Sequence, residues 1–150
     1  MPQSLVQVYV HIIFSTKQRA PYLSDPAGRA RLHAYLSGAC KGQGCPSLQV
    51  GGVEDHVHLL VRLAKTIDVA TLIRELKKES SKWVKAELRI HGFSWQTGYG
   101  AFSISPSHVE SVVEYIRRQE LHHRECSFHD EFRRICGKYN VPIDERYVWD

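Results

Sequence analysis

The stretch Gly51-Gly52-Val53-Glu54-Asp55-His56-Val57-His58-Leu59-Leu60-Val61 reads as the corner of a β-hairpin. A strand near 47–54 leads in, and a second near 56–63 leads out after a short connection. His56 and His58 stand two residues apart on the second strand. Their side chains therefore share one face, with Cα atoms roughly 6–7 Å apart. Two imidazoles so placed can converge on one metal ion, provided another element brings a third ligand.

Working outward, residues 5–15 alternate, with Val6, Val8, Val10, Ile12 and Phe14 on one face and Gln7, Tyr9, His11, Ile13 and Ser15 on the other. Period-two alternation predicts a strand with one apolar face, broken by Lys17-Gln18-Arg19-Ala20-Pro21. A helix is predicted from about 25 to 41, capped by Asp25 with Pro26 in its first turn. Gly42-Gln43-Gly44-Cys45-Pro46 is a turn cluster before the hairpin. After it comes a long helix, about 67–90, with Val69, Ile73, Leu76, Ser80, Trp83 and Ala86 on the buried side. Lys78, Lys82, Lys85 and Arg89 form a basic stripe on another face. An irregular glycine-rich segment, 91–100, precedes a short strand at 101–105, a helix at about 106–123 and an amphipathic piece at about 128–138.

The first six elements follow the order strand, helix, strand, strand, helix, strand. This is the split βαββαβ arrangement of a ferredoxin-like domain: an α/β (α+β) fold with an antiparallel sheet, helices packed on one face and a C-terminal helix added. With 150 residues, no repeat and no linker, the chain reads as a single domain over 1–150. Hydrophobic residues at 43% and charged residues at 24% are those of a water-soluble protein with an ordinary core. The net charge, 20 − 16 = +4, suits a polyanionic partner without requiring one. Four cysteines without a CxxC pair argue against a zinc ribbon, a thioredoxin-like site or a disulfide framework. No stretch has the length of a membrane span, and the N-terminus does not read as a secretory leader. A cytoplasmic protein is the expectation.

The third ligand is sought on the helix at 106–123, where Tyr115 and Gln119 stand four apart on one face. If that helix lies beside the histidine strand, the Gln119 carbonyl oxygen completes a site with His56 and His58, and the Tyr115 hydroxyl sits near the ion. A mixed nitrogen and oxygen site with open positions suits Mg²⁺ or Mn²⁺ holding a phosphate. Tyrosine, with an ordinary pKa near 10, needs such help to act as a nucleophile at neutral pH.

The His56-Val57-His58 run behind Gly-Gly-Val-Glu-Asp, with Tyr115 and Gln119 four residues apart, resembles the HUH single-tyrosine transposases of the insertion-sequence-200/605 type, including relatives associated with repetitive extragenic palindromes. Tyr9-Val10-His11-Ile12-Ile13-Phe14-Ser15-Thr16-Lys17-Gln18-Arg19 is similar to that family's first strand and basic turn, as is Trp95-Gln96-Thr97-Gly98-Tyr99-Gly100 before the last strand. The resemblance implies a metal-dependent enzyme that cleaves and rejoins single-stranded DNA through a 5′-phosphotyrosine on Tyr115. It also implies recognition of DNA hairpins at element ends, and a homodimer whose subunits share active sites.

Blander readings stand beside these. A histidine pair on a strand is often only hydrogen-bonded, and a helical tyrosine is more often a packing residue. Asp55 suits equally a role orienting a ligand histidine and a role in the hairpin turn. The stripe of Lys78, Lys82 and Lys85, interleaved with Glu75, Glu79 and Glu87, is by default a solvated face and otherwise a DNA contact. Lys17 and Arg19 are comparable candidates for phosphate contact. Tyr9, Trp95 and Tyr99 suit base stacking or the core, and His122, His123 and His129 are read as flanking a helix end rather than as a second metal cluster. The rival functions are a domesticated transposase acting on chromosomal repeats, a non-catalytic nucleic-acid-binding module and a hydrolase using metal-bound water.

Overall fold

The alternation of residues 5–15 becomes β1, Tyr9–Ser15, in a computed structural model that describes residues 2–150. The hairpin forms as read: β2, Ser47–Gly52, pairs antiparallel with β3, His56–Arg62. Backbone packing makes the corner tight, since a Cβ on Gly52 would run into the His56 carbonyl. Strand β4, Gly100–Ile104, completes a four-stranded sheet in the order β2-β3-β1-β4. Every pairing is antiparallel, with Ser15 opposite His56 and Ile13 opposite His58. This is the ferredoxin-like topology the element order predicts.

Two crossover helices cover one face. α1, Pro26–Gly42, starts where Asp25 accepts hydrogen bonds from the Ala27 and Gly28 amides, and Pro26 needs no partner for its missing N–H. α2, Val69–Glu87, is capped by Asp68 through the Thr71 amide. Leu32, Leu36 and Cys40 of α1, with Leu72, Ile73, Leu76 and Val84 of α2, pack onto Val10, Ile12, Phe14, Val57, Leu59 and Val61 of the sheet. The buried side of α2 is turned slightly from the predicted one: Leu72 and Val84 are inside, while Ala86 is exposed. Trp95 joins this core and donates its indole N–H to Ser80 Oγ at 2.9 Å, so of its two sequence readings the packing one holds.

The opposite face is also covered. The predicted helix at 106–123 is split into a 3-10 turn at Pro106–His108, α3, Val109–Arg117, and a single turn, α4, Gln119–His122. The break is at Arg118, whose φ of −93° and ψ of 17° leave the helical region. α5, Phe128–Lys138, follows with Ser127 as its N-cap. Ile116 meets Leu60 and Ile104, and Phe128, Phe132 and Cys136 meet Ile13 and Phe102. β1 and β3 therefore bury both of their faces rather than one. The histidine pair lies between the sheet and this second helical layer.

Candidate active site

His56 and His58 point from β3 into the α3–α5 layer, and neither exposes any surface. His56 Nδ1 is 2.7 Å from Asp55 Oδ1, an atom that can only accept, so Nδ1 carries the proton. His58 Nδ1 is 2.9 Å from Nε2 of His11, the residue two strand-pair steps behind it on β1. The Nε2 atoms of both ligand candidates are thereby left facing one point. Asp55 acts on His56 as well as shaping the turn, since its carbonyl also accepts from the Thr16 amide at 2.8 Å.

Glu131 of α5 fills that point. It is completely buried, and its Oε1 lies 3.0 Å from His58 Nε2, 3.4 Å from His56 Nε2 and 3.0 Å from His123 Nε2. Its Oε2 accepts from the Tyr115 hydroxyl and, at 3.1 Å, from Gln119 Nε2. Gln119 Oε1 stands 3.3 Å from His56 Nε2. The helix break turns Gln119 onto a new axis without separating it from Tyr115, whose carbonyl its side chain also reaches at 3.4 Å. Tyr115 and His58 stack edge to face with ring centroids 5.8 Å apart.

These residues fit a metal ion. His123 donates its Nδ1–H to the Cys126 carbonyl at 2.6 Å, which leaves Nε2 as a lone pair. That buried nitrogen has no hydrogen-bond partner, although the Glu131 carboxylate is beside it. A lone pair facing an anion is repulsive unless a cation lies between them. Ligands about 2.1 Å from one ion in adjacent octahedral positions are about 3.0 Å apart, close to the spacings here. His56, His58, His123 and Glu131 form a group able to hold a metal, with all ligand atoms within 4.8 Å of one another.

Electrostatics point the same way. Burial alone would lower the His56 pKa, but hydrogen bonds to Asp55 and Glu131 outweigh it and raise it to about 9. For His58 burial prevails and the pKa falls. His11, buried against His58, is brought down to about 3 and stays neutral. Burial would raise the Glu131 pKa, yet the surrounding histidines hold it far below the ordinary carboxylate range. Burial and the adjacent Glu131 charge push the Tyr115 hydroxyl above its usual value, with Gln119 and, less, Arg134 opposing them. A phenol in that setting keeps its proton until positive charge arrives beside it.

The four residues predicted for the centre, His56, His58, Tyr115 and Gln119, thus come together. His123 and Glu131 were not foreseen as members. The signal for Glu131 was a carboxylate set among Phe128, Phe132 and Cys136 on the apolar side of its helix. Lys17 and Arg19 are exposed in a 3-10 turn directly after β1, at the end of the sheet where Ser15 faces His56. Lys78, Lys82 and Lys85 lie on α2, across the sheet from the histidines, and Lys78 is paired with Glu75 at 3.4 Å and Glu79 at 3.8 Å. The structure does not bring that stripe to the centre. His122 accepts from Arg134 at 2.9 Å beside the site, and His129 stacks on Trp149 with centroids 3.7 Å apart.

A paired-histidine strand thus faces a tyrosine and a glutamine on a ferredoxin-like sheet. Residues 4–119 match the family model described as "Transposase IS200 like", and the chain belongs to that family. It is accordingly a transposase. Among solved structures it is similar to a "putative transposase" of Deinococcus radiodurans R1, at 20% identity and a TM-score of 0.61, over 79% of this chain and 98% of that one. It is also similar to a REP-associated tyrosine transposase bound to a REP hairpin, at 14% identity and a TM-score of 0.60, over 82% of this chain and 73% of that one. At these identities the likeness is one of fold. No curated protein matches the sequence. His123 and Glu131 lie beyond the family match, in the segment that folds back over the site. Among the described residues no helix is long and apolar enough to cross a membrane.

Proposed function

We propose that this transposase cleaves and rejoins single-stranded DNA with Tyr115 as the nucleophile, and that residues 1–150 act as one catalytic domain. The observation that carries this is the shared contact at Glu131, where Tyr115, Gln119 and the His56/His58 pair meet. His56, His58 and Gln119 hold a divalent ion, with His123 and Glu131 as further donors. When bound, the ion polarises the scissile phosphate and offsets charge at the phenolic oxygen. Three imidazoles and a carboxylate are richer in nitrogen than Mg²⁺ prefers, which supports Mn²⁺ over Mg²⁺.

The chain's own residues do the rest. Asp55 and His11 orient the two ligand histidines from behind. The α3–α5 layer excludes water from the centre. The Tyr115 oxygen attacks phosphorus, the P–O3′ bond breaks, and the DNA 5′ end is left on the tyrosine with a free 3′-OH. A second 3′-OH reverses the step, and the phosphodiester energy is kept throughout. The hairpin held by the structural neighbour supports imperfect DNA hairpins as the recognised ends. Lys17 and Arg19, at the His56 end of the sheet, suit phosphate contact there. The homodimer that the family resemblance implies belongs to the same proposal; in place of the shared active sites expected from the resemblance, the closeness of Tyr115 and His58 within one chain supports each chain using its own Tyr115.

The test incubates the protein with labelled single-stranded DNA carrying the gene's flanking palindromes and Mn²⁺ or Mg²⁺. The wild type forms a covalent protein–DNA adduct and Tyr115→Phe forms none. An adduct in Tyr115→Phe would remove Tyr115 as nucleophile, and cleavage without any adduct would favour metal-bound water.

A further inference from the structure

A cleft of about 460 Å³ opens to solvent beside Tyr115, between α3 and α5. His11 forms part of its wall, and the same ring touches His58, so the cleft and the ligand cluster share a boundary. Its rim carries Arg134 and Lys138. These stand four residues apart on α5 and so project to one side of it. Both are exposed. Among the described residues neither forms an ion pair with a carboxylate, whereas their neighbour Arg133 is held by Asp130 at 3.1 Å and by Glu145 at 2.7 Å. Arg134 instead donates to His122. The one carboxylate of α5 that turns toward this side, Glu131, is sealed inside with the histidines.

Two uncompensated cations at the mouth of a cleft raise the local concentration of anions. The volume falls in the range of small-ligand sites, about 300–1,000 Å³, with Val112 and Tyr139 supplying apolar wall. A nucleotide has both parts: an anionic phosphate for the rim and a sugar and base for the wall. Tyr115, His11 and His122 line the cleft on the side of the ligand cluster.

We propose that the cleft is a subsite for the single-stranded DNA backbone flanking the scissile phosphate, with Arg134 and Lys138 each neutralising one phosphate. The inference rests on Tyr115 as the nucleophile. It gives the segment beyond the family match a role in holding substrate.

Binding of a short fluorescein-labelled oligothymidylate is measured by anisotropy against salt concentration, in EDTA so that no cleavage intervenes. Loss of two phosphate contacts lowers the slope of log K against log[salt] by about 1.4 for a single strand. Arg134→Ala/Lys138→Ala gives that decrease, and the charge-keeping Arg134→Lys/Lys138→Arg restores most of the slope. Arg62→Ala/Lys65→Ala, which removes the same charge at the far end of β3, leaves it unchanged. Circular dichroism checks that each exposed-site variant is folded. An unchanged slope in Arg134→Ala/Lys138→Ala, or an equal fall in the Arg62/Lys65 control, overturns the subsite. This readout is independent of adduct formation, so failure of the subsite and failure of the nucleophile assignment are seen separately.

Discussion

Glu131 is the residue on which the site turns. Its two oxygens touch four histidine nitrogens, those of His56, His58, His122 and His123, with the tyrosine hydroxyl and the glutamine amide, and it is buried from solvent. A buried carboxylate of this kind is stable only when it is matched by positive charge and hydrogen bonds. Without an ion, the match comes from His56, whose raised pKa keeps it protonated between Asp55 and Glu131. In the proposed metal-bound state the same carboxylate would be a ligand. Glu131→Gln keeps the size of the side chain and removes its charge. Mn²⁺ affinity by calorimetry should fall at least tenfold, the lower end of what even an outer-sphere partner contributes. Unchanged affinity would confine the metal to His56, His58 and Gln119. The sequence reading of 128–138 as an amphipathic piece did not single out Glu131, although it falls with Phe128, Phe132 and Cys136 on the buried side of α5. What that reading lacked was the identity of the groups opposite.

Among the elements, α3 matters most, because it carries Tyr115 and positions Gln119. Its C-terminal end lies against β2 at Gly51, where an added Cβ would stand 2.6 Å from the Ile116 carbonyl and 2.9 Å from its Cγ2. The absence of a side chain at Gly51 lets the helix backbone approach the hairpin directly beside His58, its register partner. Gly51→Ala must push α3 outward. Overpacking of this kind typically costs about 1–3 kcal/mol, so the urea midpoint should drop by the corresponding amount. Adduct formation should fall by more than the loss of folded protein explains, because Tyr115 moves with the helix. A variant with wild-type stability and activity would refute this close approach. The glycine pair preceding the histidines was visible in the sequence as the end of the hairpin's first strand. Its second use, as a docking surface for a helix more than sixty residues away, was not.

At the scale of the molecule, the sheet separates two tasks. One face carries α1, α2 and the larger apolar core; the other carries the α3–α5 layer with the candidate site. Charge is divided in the same way. The α2 stripe lies behind the sheet, while Lys17, Arg19, Arg134 and Lys138 surround the site side. Whether catalysis stays within one chain is tested by mixing Tyr115→Phe with His56→Ala protein. Subunits that exchange tyrosines would recover one competent site per mixed dimer and form adduct. Subunits that use their own Tyr115 would form none, and that is the outcome expected from the contact of Tyr115 with His58 in a single chain.

The βαββαβ order and the hairpin were legible in the sequence because they depend on short-range periodicity, two for a strand and between three and four for a helix. The spacings His56/His58 and Tyr115/Gln119 were legible in the same way, and the family resemblance joined the two pairs. The helix break at Arg118 was not legible, since no proline or glycine marks it in the sequence. Neither was the return of α5 over the histidines, which depends on Phe128 and Phe132 finding Ile13 and Phe102 across the sheet. Tertiary structure alone decided that Glu131 and His123 join the ligand cluster and that Arg134 and Lys138 face the cleft. Contacts between residues so distant in the chain leave no periodic trace; they exist only once two hydrophobic faces have packed.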